Sequence, residues 1–343
     1  MLYFHRIIKR EMREIMNYSL IDIGSNSIRL TVYEINGTSF KPLFHSKIMA
    51  GLAGYVEKEK LSKDGIEAAA SALLKFKNIL QSLSVENVSA FATASLRNIK
   101  NTEKVVKKLK NATGFDIEII EGNEEALLSY YGAKLELNTF TEGAFTDIGG
   151  ASTEIISFSN DTPIYTASYR IGSLNLFKKY VKNVIPDKKS LAQISDAIAM
   201  EFDKKSDFPF DPRSPLICVG GTARTLMKIA RKFYDLPEEC NALTRTQVDH
   251  VFALLTSNTK AGTRLILRTS PDRIHTINPG LSILSHILHL YDSEKIIVSN
   301  YGIREGFLWK KIIQSDKAIT SLPKTESLAG SSSTNACSKK PLT

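Results

Sequence analysis

The sequence predicts a protein built from two related α/β halves. Three observations carry that prediction. The chain has 343 residues, 43% of them apolar, which is enough for about two domains with separate cores. Short apolar strands alternate with longer helical stretches along most of its length. A strand, a carboxylate, a glycine-rich turn and a second strand occur twice, as Asp22-Ile-Gly-Ser and as Asp147-Ile-Gly-Gly, 125 residues apart. That interval is far longer than a solenoid repeat. It marks two related halves, with a cleft expected between them.

The elements follow in order. Residues 18–21 read as a strand that enters DIGSNS, and 28–35 as its return. Asn36-Gly37 is a hairpin turn signal. Ser62 or Asp64 can cap a helix running to about Leu83, with Ile66, Ala69, Ala70, Leu73, Phe76, Leu80 and Leu83 near one face. Residues 88–94 read as a strand followed by the loop TASLRN, and Thr102 can cap the basic helix after it. Residues 116–120 form a strand, and EGNEEALLSYYGAKLEL is loop passing into helix. The pattern restarts at Gly143: a strand into DIGGAS, a return over 153–158, a Ser190-capped helix, a strand over 216–219, the loop GGT, and a helix from Ala223. An apolar helix from Pro279, a strand over 295–299 and GIREG complete the ordered part.

Composition narrows the class. Lys plus Arg total 45 against 36 acidic residues, so the formal charge is +9, which favours polyanionic partners without choosing among them. Cys218, Cys240 and Cys337 are too few and too scattered for a disulfide framework or a cysteine-ligated zinc site, and they suit a reducing cytoplasm. No uncharged apolar run reaches membrane-spanning length. Residues 1–16 break their apolar positions with charges, unlike a signal peptide. They read as an amphipathic lead-in, with Met16 as an alternative start. Residues 315–343 are polar and Ser-rich, so a disordered tail is expected.

Five segments carry candidate chemistry. In DIGSNSIR, Gly24 lets backbone approach a ligand, Ser25, Asn26 and Ser27 add short donors, and Asp22 can hold a divalent cation. In DIGGASTE, Gly149, Gly150, Ala151 and Ser152 repeat the cradle, and Asp147 and Glu154 are further carboxylates for a hydrated Mg²⁺. VGGTART ends a strand in Gly220, Gly221 and Thr222 before a helix, whose first N–H groups favour anions. TASLRN offers Arg97, a rigid fork of donors for phosphoryl oxygens. EGNEEA places Glu124 and Glu125 in the first turn of a helix, where one can orient and deprotonate a water. Each segment also has an ordinary reading: a hairpin turn, strand-to-helix punctuation, a surface arginine, or acids satisfied by a helix dipole. His286 and His289 are read as packing or surface residues, and the basic run from Lys104 to Lys110 as a solvated helix face.

Together and in this order, with NPGLSIL and SNYGIREG, these segments resemble the exopolyphosphatase/guanosine pentaphosphate phosphohydrolase (Ppx/GppA) family over residues 18–309. The resemblance implies a two-domain actin/hexokinase/Hsp70-like, ribonuclease H-like α/β fold with a central phosphate-binding cleft. Domains are expected at 17–138 and 139–314. It implies hydrolysis of a terminal phosphoanhydride with Mg²⁺, and a monovalent cation as an option. It maps the catalytic base to Glu125, the arginine to Arg97, and metal-binding acids to Asp147 and Glu154. The chain departs from the family at Ala151, where a third glycine is usual, and at Asn300, where an aspartate is common. Ala151 fits if its φ is negative. The expected substrate is linear polyphosphate, with guanosine pentaphosphate as the alternative. A second copy of the chain is an allowed partner, while neither membrane nor specific nucleic-acid binding is expected. A small-molecule kinase of the same fold and a non-catalytic phosphate or alarmone sensor are the rival classes.

Overall fold

The computed structural model describes residues 15–204, 215–257 and 260–315. The lead-in expected over 1–16 and the tail expected over 315–343 fall almost wholly outside them. The described chain divides into two compact units. One runs to Ile120 and resumes at Leu308; the other runs from Glu121 to Phe307.

The first unit is built on β1 (Met16–Ile23), β2 (Ile28–Asn36), β3 (Ser39–Ile48), α1 (Lys63–Ser82), β4 (Val88–Ala92), the short turn α2 (Ala94–Arg97), α3 (Thr102–Thr113) and β5 (Ile117–Ile119). Its sheet order is β3-β2-β1-β4-β5, antiparallel in the first three strands and parallel thereafter. Ser62 caps α1, its side chain accepting from Gly65 N at 3.2 Å. The face read from the sequence is buried at Ala69, Leu73, Phe76 and Leu80, and packs on Ile21, Ile23, Leu30 and Ala90. Leu83 lies past the helix end and is exposed. Thr102 does not cap α3. The cap position is Asn101, and Thr102 Oγ1 donates to Leu96 O and Ile99 O.

The second unit comprises α4 (Gly122–Glu136), β6 (Gly143–Ile148), β7 (Thr153–Ser159), β8 (Thr162–Tyr169), α5 (Ser173–Tyr180), α6 (Lys188–Phe202), β9 (Leu216–Val219), α7 (Gly220–Tyr234), β10 (Ala242–Thr244), α8 (Arg245–Thr256), α9 (Lys260–Thr269), α10 (Ile277–Leu290), β11 (Lys295–Val298) and the short α11 (Ile303–Phe307). Its sheet order is β8-β7-β6-β9-β11-β10. The first five strands repeat the pattern of the other unit: an antiparallel meander followed by two parallel additions. The edge strand β10 pairs antiparallel. This is the duplicated architecture the repeated hairpin predicts.

Side chains alternate across this sheet. Phe145, Ile156, Phe158, Ile217, Val219 and Ile297 form one core with Ala126, Tyr130, Ala133 and Leu137 of α4. The opposite face, with Ala144, Ile155, Leu216 and Cys218, packs under α6, α7, α8 and α10. The compact division falls between Ile120 and Glu121, and α4 buries its apolar side on the sheet of the second unit. Asp187, not Ser190, caps α6, accepting from Ser190 N at 2.7 Å. The aspartate precedes the first helical residue, where a side-chain acceptor reaches the free N–H groups.

Candidate active site

The two hairpins are built alike. In the first, Asp22 pairs with Arg29 across the ladder and Ile23 with Ile28, and Gly24 N donates to Ser27 O at 3.1 Å. In the second, Asp147 pairs with Glu154 and Ile148 with Thr153, and Gly149 N donates to Ser152 O at 2.9 Å. The first turn is pinned from outside: Gly51 N donates to Asn26 O at 2.9 Å and Ala53 N to Ser25 O at 3.0 Å. Ser95 Oγ of α2 donates to Ile23 O at 2.5 Å. Arg97 ends α2 half-buried, with Nη1 donating to Ile120 O at 2.8 Å. TASLRN is thus a helical turn rather than an open loop.

The second hairpin is held by the start of α5. Ser173 N and Oγ donate to Gly149 O at 3.0 and 3.1 Å, and Leu174 N and Asn175 N donate to Gly150 O at 2.9 and 3.0 Å. Asn175 Nδ2 donates to Ala151 O at 3.3 Å. A trans peptide points its N–H opposite to its C=O. With the carbonyls of 149–151 turned toward α5, the N–H groups of 150–152 face the other way, as an anion-binding nest requires. Ala151 is buried and has no positive φ, so the methyl is accommodated.

The carboxylates converge for a reason visible in the strand parity. Asp147 lies on the same face as Phe145, and Glu154 on the same face as Ile156 and Phe158; this is the face α4 covers. Ser129 Oγ of α4 donates to Asp147 Oδ2 at 3.0 Å. Ser168 Oγ donates to Glu154 Oε1 at 2.9 Å. Glu154 is buried, and its carboxyl is held well above the usual carboxylate range. Burial is the main cause, reinforced by the negative charges of Glu125 and Asp147. Of the Glu124–Glu125 pair, it is the charge of Glu125 that reaches the buried Glu154 carboxyl. The third loop closes on the same group. Gly220 has φ +85°, and any Cβ there would overlap Asp147 Oδ1, so the strand end can pass Asp147 only as glycine. GGT is not a loop: Gly220, Gly221 and Thr222 are the first turn of α7, with Thr222 buried against Gly280.

Among the described residues, no three His, Cys, Asp or Glu side chains form a ready-made metal cluster. The donor chemistry still suits Mg²⁺. Asp147 and Glu154 supply hard oxygen ligands, and Glu125 and Asp147 both add negative charge at the buried Glu154 carboxyl. Mg²⁺ keeps several waters, so two or three carboxylates are enough to hold it.

Comparison with known proteins decides what this arrangement belongs to. The family model described as the Ppx/GppA phosphatase family matches residues 31–314. The chain belongs to the Ppx/GppA phosphatase family. As a member it is a phosphoanhydride hydrolase. It is 23% identical over 306 residues to exopolyphosphatase 1 of Mycobacterium tuberculosis, covering 87% of this chain and 88% of that one. It is 26% identical over 302 residues to a guanosine-5'-triphosphate,3'-diphosphate pyrophosphatase of Pseudoalteromonas atlantica, covering 85% of this chain and 58% of that one. The crystal structure of the Aquifex aeolicus Ppx/GppA family member superposes with TM-score 0.72 at 26% identity, covering 88% and 99% of the two chains. An exopolyphosphatase structure from Cytophaga hutchinsonii gives TM-score 0.78 at 21% identity, covering 88% and 98%. The fold is accordingly the two-domain actin/hexokinase-like α/β fold of Ppx/GppA proteins.

Within this Ppx/GppA chain, the second unit brings together Glu125, Asp147, Glu154, the turn at 149–152 and Gly220. Asp22, the turn at 24–27 and Arg97 belong to the first unit. Three contributors escape a reading of the sequence. Ser129 holds Asp147, and its only signal is its place one helical turn after Glu125. Gly172 packs so tightly on the second turn that a Cβ would come within 2.5 Å of Gly150 O. The guanidinium of Arg273 lies directly on Gly221. His286 is half-buried against Phe202, with ring centroids 5.2 Å apart, and His289 is exposed beside Asp249 at 3.6 Å. No helix among the described residues is long and apolar enough to cross a membrane.

Proposed function

We propose that this chain is an exopolyphosphatase, releasing orthophosphate from the end of linear polyphosphate. The hydrolytic reading is supported by Glu125, in the first turn of the helix that covers the Asp147 and Glu154 face, adding its charge to that of Asp147 at the buried Glu154 carboxyl. Glu125 is the general base. It orients a water and takes its proton as the water oxygen bonds to the terminal phosphorus. The bridging P–O bond breaks, orthophosphate leaves, and the shortened chain keeps the bridging oxygen as its new end. The turns at 149–152 and 220–222, and the matching turn at 24–27, bind phosphate oxygens through backbone N–H groups. Arg97 binds a phosphoryl oxygen by its guanidinium. Asp147 and Glu154 would hold Mg²⁺, with Asp22 as a further candidate acid. When bound, the ion neutralises charge on the phosphoryl oxygens. Catalysis of this kind rests on positioning and electrostatics.

The formal charge of +9 and the likeness to exopolyphosphatase 1 support polyphosphate as substrate. A release assay tests the reading, comparing polyphosphates of several lengths, guanosine pentaphosphate and ATP, each with Mg²⁺ and with EDTA. Polyphosphate is expected to have the highest kcat/KM. Preference for guanosine pentaphosphate would reassign the substrate. Binding of every candidate without phosphate release would overturn the enzymatic reading.

A further inference from the structure

Four residues of α4 fall on one stripe: Glu125, Ser129, Gly132 and Glu136, at spacings of four, three and four. Glu125 and Ser129 serve the carboxylate cluster. The other two grip the segment after β11, within SNYGIREG. Glu136 accepts four hydrogen bonds from it: Ser299 Oγ at 2.6 Å, Asn300 N at 2.7 Å, Asn300 Nδ2 at 3.0 Å and Tyr301 N at 3.3 Å. A Cβ on Gly132 would overlap Gly302 O, and a Cβ on Gly306 would overlap Leu128 O, so the two backbones touch with no side chain between them. Gly302 N is fixed in turn by Glu305 Oε2 at 2.9 Å.

We propose that Glu136 is a positioning residue for the hydrolytic reaction: by clamping Ser299–Tyr301, it fixes the tilt of α4 over the Gly132–Gly302–Gly306 contact and so sets where Glu125 stands. This rests on Glu125 as the base. The glycine contact acts as a pivot near the middle of the helix, and the Glu136 clamp holds the far arm. Seven residues of helix, about 10 Å, separate Gly132 from Glu125, so a tilt of about 6° about that contact moves Glu125 by about 1 Å. A displacement of that size can cost about 10²-fold in rate. Asn300 fits the same account. Its backbone N–H and its side-chain amide both donate to Glu136, whereas an aspartate side chain there would place a second carboxylate against it.

The test uses the full chain, with Glu136→Gln, Glu136→Asp, Lys134→Met and Glu125→Gln. Lys134 sits at the same end of the helix and pairs with Asp161 at 2.6 Å, without touching the clamped segment, so it controls for general loosening. Three things are measured: kcat and KM for phosphate release from polyphosphate, thermal stability, and amide hydrogen exchange at the start of α4. Glu136→Gln is expected to lower kcat by about 10–10²-fold with KM within about twofold, and to speed exchange over 122–129. Glu136→Asp should recover part of both, and it carries the test should the glutamine variant fail to fold. Lys134→Met should lower stability and leave kcat unchanged. Wild-type kcat and exchange in both Glu136 variants would overturn the inference, as would an equal loss of kcat in Lys134→Met. If Glu125→Gln retains turnover, the base assignment has failed; the exchange comparison then still decides whether Glu136 sets the order of the helix start.

Discussion

Asp147 and Glu154 stand directly opposite each other across the β6–β7 ladder, on the face that α4 covers. Two like charges in that relationship repel, and burial removes the water that would screen them. The site therefore stores an electrostatic conflict whose release can be measured.

The first prediction concerns stability against pH. The pKa of Glu154 is raised in the folded chain by burial, then by Glu125 and Asp147, so folding favours its protonated form. Below the ordinary carboxylate range both folded and unfolded states are protonated, and nothing is lost. As pH climbs from that range through the raised folded value, the metal-free wild type loses stability; above it the deficit is constant. Glu154→Gln is expected to melt higher than wild type at pH 8 in EDTA, each kcal/mol gained raising Tm by about 2–4 °C. The difference should vanish near pH 4. A variant that melts lower than wild type at pH 8 would contradict the assignment.

Metal binding and proton release should be coupled through the same residue. A cation beside Glu154 favours its ionised form, so adding Mg²⁺ at neutral pH is expected to expel protons. Calorimetric titration in two buffers of different ionisation enthalpy reads this directly. The buffer dependence should disappear in Glu154→Gln, and its absence from the wild type would argue against a metal at these acids.

On the proposed role of Glu125 as base, Glu125→Gln would remove the proton acceptor and keep the shape. A drop in kcat of about 10²–10⁴-fold is expected, with folding intact by circular dichroism. Unchanged turnover would remove Glu125 from the mechanism.

On its proposed role, Arg97→Ala should lower kcat/KM for phosphate release, because a guanidinium proposed to spread charge on the phosphoryl oxygens is lost. A loss of about tenfold or more is expected, since charge-assisted hydrogen bonds contribute about 1.5–3 kcal/mol. The variant also loses the bond to Ile120 O, so its melting temperature is recorded alongside. An unaltered kcat/KM would exclude Arg97 from phosphate binding.

Gly172→Ala tests the support of the second turn. Gly172 has φ −148°, an extended conformation open to any residue, so the whole cost of the methyl is steric overlap with the backbone of 150–151. Overpacking of this kind costs about 1–3 kcal/mol. The expected result is a lower Tm together with a raised KM for polyphosphate, measured by thermal melt and steady-state release. A normal KM would show that the turn does not depend on its contact with α5.

Much of the architecture was legible because it is local. A strand, a carboxylate and a glycine turn are specified by neighbouring residues, and the two hairpins formed as read; the structure adds that each is closed by its glycine, Gly24 N to Ser27 O and Gly149 N to Ser152 O. The amphipathic face of α1 and its Ser62 cap are likewise properties of consecutive residues. Other features depended on what lies far away in the chain. The residue types alone offer Glu124 and Glu125 as equals, and the family resemblance picks Glu125; its charge reaches Glu154 only because α4 docks on β6 and β7. Gly172 and Arg273 have no local signature and Ser129 only its place one turn after Glu125, since each acts through contact with a residue 18 to 52 positions away. The sequence by itself determined the repeated motif, the elements and the residue types available for phosphate chemistry. The tertiary structure decided which carboxylates share a face and which helix holds them there, because strand parity and helix docking are set by long-range packing rather than by neighbours along the chain.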